Sequence, residues 1–371
     1  MPFERLLGGW PQLFLRILHD YSQRALHTVM GSPVHRLITQ SLTAPSRPFD
    51  KDKLSLFSVV KNEMFLLPAF LDHHRSIGIQ QFLILVDHSD DGTLEYLLEQ
   101  PDVVVVECSV KFGDNINVSP FSRLGLKKMD RAAAWLKEVI TQEFFANSYA
   151  LYLDADEFLF LPPGHTSVDN IIASIRRRRV RAVSASVVEF FPEKVAELFV
   201  PGTPTSLPEL INRYPYFEPT PLLRLRRFRF PERIGWAKSG ELFLSFLNSH
   251  DEGMTTLKTP IVRHSALCFR RGSHRASLPP TSRWMLTVGH FKFTSVSEEK
   301  FREATESKLS YFREMYGLLE NLLTKMHESS ASFLSPHSQR FSSSQQFVDA
   351  GLMRLNDGDE TGRWPERRPP E

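Results

Sequence analysis

The sequence predicts an α/β fold, a mostly parallel central sheet with helices on both faces. Three observations predict it. Between residues 54 and 153, short apolar runs alternate with stretches of helical period. The runs are continuous rather than alternating, as in Val103-Val-Val-Val106, which suits strands covered on both faces. A polar cluster follows several of these runs, and ligands of such sheets gather at the carboxyl ends of the strands.

The elements follow in order. Residues 54–60 read as a buried strand and 64–77 as a helix. Residues 81–87, with Phe-Leu-Ile-Leu-Val at their centre, are a second strand, and 94–99 a short helix. Residues 103–107 are the third strand. Residues 124–145 make a long helix with Met129, Ala132, Ala133, Leu136, Ile140 and Phe144 on one face, and 149–153 the fourth strand. A helix over 168–179 and a strand over 182–189 complete the regular part. Residues 201–221 are dense in proline and read as loop. Residues 224–230 and 284–293 look extended. Ser295-Val-Ser-Glu298 has the form of a capping box opening a helix to about residue 326.

The domain division expected is an N-terminal helical appendage over 1–48, one domain over 49–328 with halves 49–165 and 166–328, and a flexible tail over 329–371. The appendage carries apolar residues at helical spacing and more arginine than acid, and Pro11 interrupts it. It reads as a helical hairpin packed on the domain, or as an amphipathic helix lying on a membrane surface or partner. The tail is rich in serine, proline and charge.

Composition narrows the classes. Hydrophobic content of 42% and charged content of 24% are those of a globular protein, and a net charge of +2 makes no case for nucleic acid. Cys108 and Cys268, the two cysteines, give no disulfide framework and fit a reducing compartment. No apolar run reaches the ~20 residues of a spanning helix, and no signal peptide opens the chain.

The densest chemistry lies in Tyr149-Ala-Leu-Tyr-Leu-Asp154-Ala-Asp156-Glu157-Phe158. Three acids interrupt an apolar run, and a buried carboxylate must be paired, protonated or metal-bound. Asp154 and Asp156 share parity, so in extended chain both leave on one face. A divalent cation relieves their repulsion, and oxygen ligands at this spacing suit Mg²⁺ or Mn²⁺ held against phosphates. Glu157 reads either as orienting the loop or a sugar hydroxyl, or as an ion-pair partner.

Lys61-Asn62-Glu63, Leu71-Asp-His73-His74-Arg75-Ser-Ile-Gly78, Asp87-His-Ser-Asp90-Asp-Gly92-Thr93 and Leu153-Asp154-Ala-Asp156-Glu157-Phe158, taken together, resemble the glycosyltransferase family 2-like group of bacteria. The likeness covers about residues 54–165 and continues loosely through Lys258, His274 and Leu286-Thr-Val-Gly-His290-Phe-Lys-Phe to Ser297-Glu-Glu-Lys-Phe301. It departs at His88, where family members often carry Asn. The resemblance implies the A-type glycosyltransferase fold, a Rossmann-like sheet. It also implies a cation bound by Asp154 and Asp156, Asp156 most directly, against the diphosphate of a UDP- or GDP-sugar. Asp87 would meet the nucleobase or ribose. A histidine from the C-terminal region would join the metal, and His290 is the candidate with His274 its competitor.

The remaining sites stay open. Asp90 reads as a donor contact, or with Asp91 as the cap of the next helix. Asn62 and Glu63 hold the base or the following helix. Arg131, like Lys127 and Lys128, reaches the diphosphate or faces solvent. Lys292 has the parity of His290 and is offered to a phosphate. Glu189 is the candidate catalytic base, with Glu218 and Glu241 behind it. His73 and His74 point roughly 100° apart on a helix and read as packing. Arg176–Arg179 suits a helix C-terminus, and Arg224, Arg226, Arg227 and Arg229 an anionic acceptor.

The function expected is metal-dependent transfer of a sugar from a nucleotide-diphosphate donor to a hydroxyl of a glycan or glycolipid, with inversion, in cell-surface polysaccharide or glycoconjugate synthesis. The place expected is the cytoplasm, with contact to the inner membrane through residues 1–48. A metal-dependent phosphotransferase or phosphohydrolase and a non-catalytic carbohydrate- or nucleotide-binding module are the alternatives.

Overall fold

The computed structural model describes residues 33–119, 129–198, 200–219, 223–224, 231–233, 257–265, 268–278, 280–306, 310–328, 330 and 332–355. In chain order the elements that carry the argument are α1 (Pro33–Ser41), β1 (Ser55–Val60), α2 (Leu67–Ser76), β2 (Gln81–Val86), α3 (Thr93–Glu99), β3 (Val103–Glu107), α4 (Ala132–Phe145), β4 (Tyr149–Tyr152), β5 (Glu157–Phe160), α5 (Val168–Arg177), β6 (Ala182–Phe191), α6 (Leu207–Arg213), β7 (Leu257–Arg263), β8 (Thr281–His290), α7 (Ser297–Glu306) and α8 (Ser310–Glu328).

The first half is a parallel sheet in the order β4-β1-β2-β3. Every residue of β2 is buried, because both faces are covered. Phe82, Ile84 and Val86 enter one apolar cluster, which also holds Phe70 and Leu71 of α2. Leu83 and Leu85 enter a second, which holds Leu136 and Ile140 of α4. The two-residue period of a strand thus divides one continuous run between two cores. The long helix begins at Ala132, and Met129–Arg131 form a short strand against Asn115–Asn117. Arg131 therefore precedes α4 instead of lying on it, while Lys127 and Lys128 fall outside the described residues.

The second half extends the same sheet. β7 runs antiparallel between β4 and β6, so β4 and β6 share a direction. β8 is parallel to β6 and antiparallel to β5. The carboxyl ends of β1, β2, β4, β6 and β8 consequently open on one edge. Gly289 lies within β8 and does not end it. A Cβ there would stand 2.5 Å from Phe160 and 3.0 Å from Phe190, whose rings press on the strand.

Three expectations about organisation change. Residues 33–48 are not a separate appendage: α1 buries Val34 and Ile38 in the cluster of α4, and the Thr43 and Ser46 N–H groups bond to Glu107 and Val105 along β3. Residues 1–32 lie outside the described part. The tail is packed as far as residue 355, because apolar residues are interleaved with its serines. Phe333, Phe347, Leu352 and Met353 are buried, Gln339–Arg340 pairs with Tyr216–Phe217, and Arg354–Leu355 pairs with β8. The C-terminal helix is two helices, α7 and α8. Ser295 does not cap α7: its hydroxyl donates to the Leu198 carbonyl, while Ser297 Oγ accepts from the Thr294 N–H. Among the described residues no helix is long and apolar enough to cross a membrane.

Candidate functional site

The loops after β1 and β2 are laced together. Asn62 has φ 53°, a left-handed conformation that asparagine tolerates. Its Oδ1 accepts from the Asp90 N–H at 3.0 Å, and its N–H donates to Ser89 Oγ at 3.0 Å. Glu63 N–H donates to Thr93 Oγ1 and Met64 N–H to Asp91 Oδ2, each at 3.0 Å. Asp91 also accepts from the Thr93 N–H, so Asp91 holds the start of α3 and Asp90 is left exposed. Asp87 accepts from the Phe112 N–H at 3.2 Å. Asn62 thus spends its side chain on the loop, while Asp87 stands at the end of β2 beside it.

Beyond β4 the chain turns tightly. The Asp154 N–H donates to Glu157 Oε2 at 2.8 Å, and the Glu157 N–H donates to the Asp154 carbonyl at 3.0 Å. The two carboxylates of Asp154 and Asp156 then face different partners. Asp154 accepts from the Tyr152 hydroxyl, from Lys258 Nζ at 2.9 Å and from Lys137 Nζ at 3.5 Å. Lys258 also donates to Glu157 and is fully buried. Lys137 donates to Ser273 Oγ at 2.5 Å. Burial alone would raise the Asp154 carboxyl, but Lys137 and Lys258 outweigh it and hold it well below the usual range. Burial raises Glu157 against the pull of Lys258. The Lys137, Lys258 and Arg270 cations also lie 4.6 to 4.9 Å from the Tyr152 ring centre. Asp154 is matched by protein cations, so its charge does not depend on a metal. That differs from the expectation of two carboxylates turned jointly to one ion.

Asp156 faces His290. The register of β8 sets His290 opposite Glu189 of β6 on one side and Glu157 of β5 on the other. His290 Nε2 is 3.0 Å from Asp156 Oδ2, and Nδ1 bonds to Glu189 Oε1. The Phe291 N–H bonds to the Asp156 carbonyl at 2.8 Å, which fixes the approach of the two segments. Burial opposes a charged imidazole here, yet Glu189 and Asp156 hold His290 well above its ordinary value. Asp156 falls to about 2, since His290 outweighs its burial. Glu189 is 3% exposed and bound to His290 through one oxygen. Its other oxygen has no hydrogen-bond partner among the described residues.

The other predicted residues go elsewhere. His274 Nδ1 faces the Leu257 carbonyl at 3.3 Å, and burial lowers it to about 4. Lys292 Nζ lies 5.1 Å from the Tyr316 ring centre, turned to α8. Glu218 is buried and takes the hydroxyls of Ser335 and Ser338. Glu241, Arg226, Arg227 and Arg229 lie outside the described residues. His73 Nε2 bonds the Leu159 carbonyl at 2.8 Å, and His74 Nδ1 bonds the Phe70 carbonyl at 2.8 Å. Both serve the packing of α2 on β5.

Three lysines had no role in the sequence reading, although Lys258 and Lys300 fall in the segments that carry the resemblance. Lys137 carried a signal: it sits beside Leu136 on the buried side of α4, where a lysine needs an acidic partner. Lys258 belongs to the looser part of the resemblance, but its strand could not be placed, so no role followed. Lys300, in the first turn of α7, bonds Glu63 Oε2 at 2.5 Å across the edge. Burial pushes Glu63 up to about 7 against the pull of Lys300, and Asp156 adds to the rise.

No protein-family model matches the chain, and no curated protein matches it. Among solved structures it is similar to UDP-glucose pyrophosphorylase from Acinetobacter baumanii at 9% identity and a TM-score of 0.24, over 80% of this chain and 91% of that one. A likeness of that size settles neither fold family nor activity.

Proposed function

We propose that the chain is a nucleotide-sugar-dependent glycosyltransferase of the family 2-like kind, moving a sugar from a UDP- or GDP-sugar to a hydroxyl acceptor on a glycan or glycolipid. The observation that carries this reading is the convergence of Asp156, His290 and Glu189 with the Asp87 and Glu63 loops on one edge of the sheet. That edge is where sheets of this class take nucleotides.

A divalent cation is part of the reading. Among the described residues no group of three or more His, Cys, Asp or Glu side chains is placed to hold a metal. Asp156 Oδ2 and His290 Nε2 lie 3.0 Å apart and are the two atoms that would hold the ion. Glu189 on the far nitrogen of His290 is the carboxylate partner that orients a metal-bound imidazole. With its Nε2 proton released, His290 would join Asp156 in a donor set that fits Mn²⁺ or Mg²⁺ beside the phosphates. Such an ion would supply positive charge to the departing nucleoside diphosphate.

The chain's own residues do the rest. Asp154, locked to Lys258 and Lys137, fixes the turn that presents Asp156. Glu189 aligns His290, and its hydrogen bond to Nδ1 makes it an orienting group in preference to a free base. Asp87, at the end of β2, would meet the ribose or base. A thermal-shift screen of nucleoside diphosphates with and without Mn²⁺ tests the proposal. Metal-dependent stabilisation by UDP or GDP supports it. Stabilisation by a glycan alone would favour a binding module.

A further inference from the structure

The carboxylates that crowd the edge are matched by protein cations, two of them shared: Lys258 also serves Glu157, and His290 also serves Glu189. Asp154 is held by Lys258 and Lys137, Asp156 by His290, and Glu63 by Lys300. The first two cations are fixed: Lys258 is fully buried and His290 is part of the sheet register. Lys300 differs. It comes from α7, whereas Glu63 follows β1, so the pair spans the two halves of the domain. Its side chain is 30% exposed and that of Glu63 is 18% exposed. The field of Lys300 also reaches Asp156.

We infer that Lys300 is a ligand for the diphosphate of the donor, held by Glu63 until the donor binds and then surrendered to the phosphate. The inference rests on the nucleotide-sugar reading. Its physics is local. Lysine carries a compact charge on a flexible four-carbon stem, so it changes partner without movement of α7. A carboxylate and a phosphate compete for the same three donors, and a phosphate offers more acceptor oxygens and more charge. A diphosphate beside Asp156 adds negative charge to an edge where His290 and Lys300 are already matched to Asp156 and Glu63, and a lysine that turns toward it offsets that charge. Glu63 is the carboxylate best able to release its partner, because burial already favours its protonated form. Glu63 and Lys300 then act with opposite sign on diphosphate binding.

The test is calorimetric titration of inorganic pyrophosphate, UDP, GDP and the matching nucleosides into the full chain at fixed Mg²⁺. Wild type is compared with Lys300→Met and Glu63→Gln. The expected result is that Lys300→Met weakens pyrophosphate and nucleoside diphosphate binding at least tenfold and leaves nucleoside binding unchanged. Glu63→Gln, which frees the lysine, tightens pyrophosphate binding threefold or more. Equal diphosphate affinity in Lys300→Met and wild type, or an equal loss for nucleoside and diphosphate, overturns the inference and leaves the transferase reading standing. If Lys300→Met unfolds, Glu63→Gln decides, and unchanged or weaker pyrophosphate binding overturns the inference. Wild type that binds none of these ligands removes both proposals.

Discussion

His290 of β8 stands directly across from Glu189 of β6, and its ring joins that carboxylate to Asp156. His290 lies more than a hundred positions from either carboxylate, and the register of β8 with the backbone bond from Phe291 to Asp156 brings it to them. The relationship gives Glu189 a task, orienting an imidazole, that differs from proton abstraction.

The two tasks separate in Glu189→Gln. An orienting role predicts that Mn²⁺ affinity falls about 10–100-fold, together with turnover. Calorimetry with Mn²⁺ and a nucleotide-sugar turnover assay check it. Lost turnover at unchanged Mn²⁺ affinity would return Glu189 to the role of base.

Lys258 is a structural prediction. Lys258→Met leaves Asp154 and Glu157 without their shared cation, and breaking a buried ion pair from one side costs about 3–5 kcal/mol. Urea denaturation should show the loss, and Glu157→Gln added to it should recover part. A single variant as stable as wild type contradicts the arrangement.

Gly289 tests the close approach of β5 and β8. Gly289→Ala drives a methyl into Phe160, 2.5 Å from the built Cβ. Overpacking of this kind costs about 1–3 kcal/mol. Phe160→Leu in the same chain should relieve part of it. An unchanged urea midpoint in Gly289→Ala refutes the packing.

His264 sets a pH dependence. It is buried, its ring nitrogens have no hydrogen-bond partner among the described residues, and burial, helped by Arg270, lowers it from 6.5 to about 3. Between those values the unfolded chain binds the proton and the folded chain does not. Stability is therefore complete above pH 6.5 and falls as the pH drops toward 3, by up to about 1.4 kcal/mol per unit from this group. His73, lowered by burial to about 4, adds in the same direction. His264→Leu should flatten the acid slope and stabilise the protein by about 1 kcal/mol at neutral pH. A steeper slope, read from denaturation at several pH values, would contradict this.

The sequence was legible where local pattern decides structure. The strand at Val103–Glu107 needed only its apolar run, and β1, β2 and β4 differ from expectation by a residue at an end. Asp154 and Asp156 were legible because acids interrupting a buried run must find charge. What lay beyond reach was register. Nothing near Lys258 reveals that its strand threads between β4 and β6, so the cation facing Asp154 could not be named. The same holds for Lys292: sharing parity with His290 suggested a common face, but the chain leaves β8 after His290 and the side chain turns to Tyr316. The tail misled for a compositional reason, since serine and charge outnumber the few aromatic residues that bury it.

The central claim is that Asp156 carries the cation site of a nucleotide-diphosphate pocket. Calorimetric titration of UDP and GDP in Mn²⁺ into wild type and Asp156→Asn tests it most directly, with the melting temperature as the control for folding. The account predicts binding of one nucleotide by wild type and a loss of about a hundredfold or more in the variant at an unchanged melting temperature. Equal affinity in the two proteins, or no binding by wild type, would contradict it.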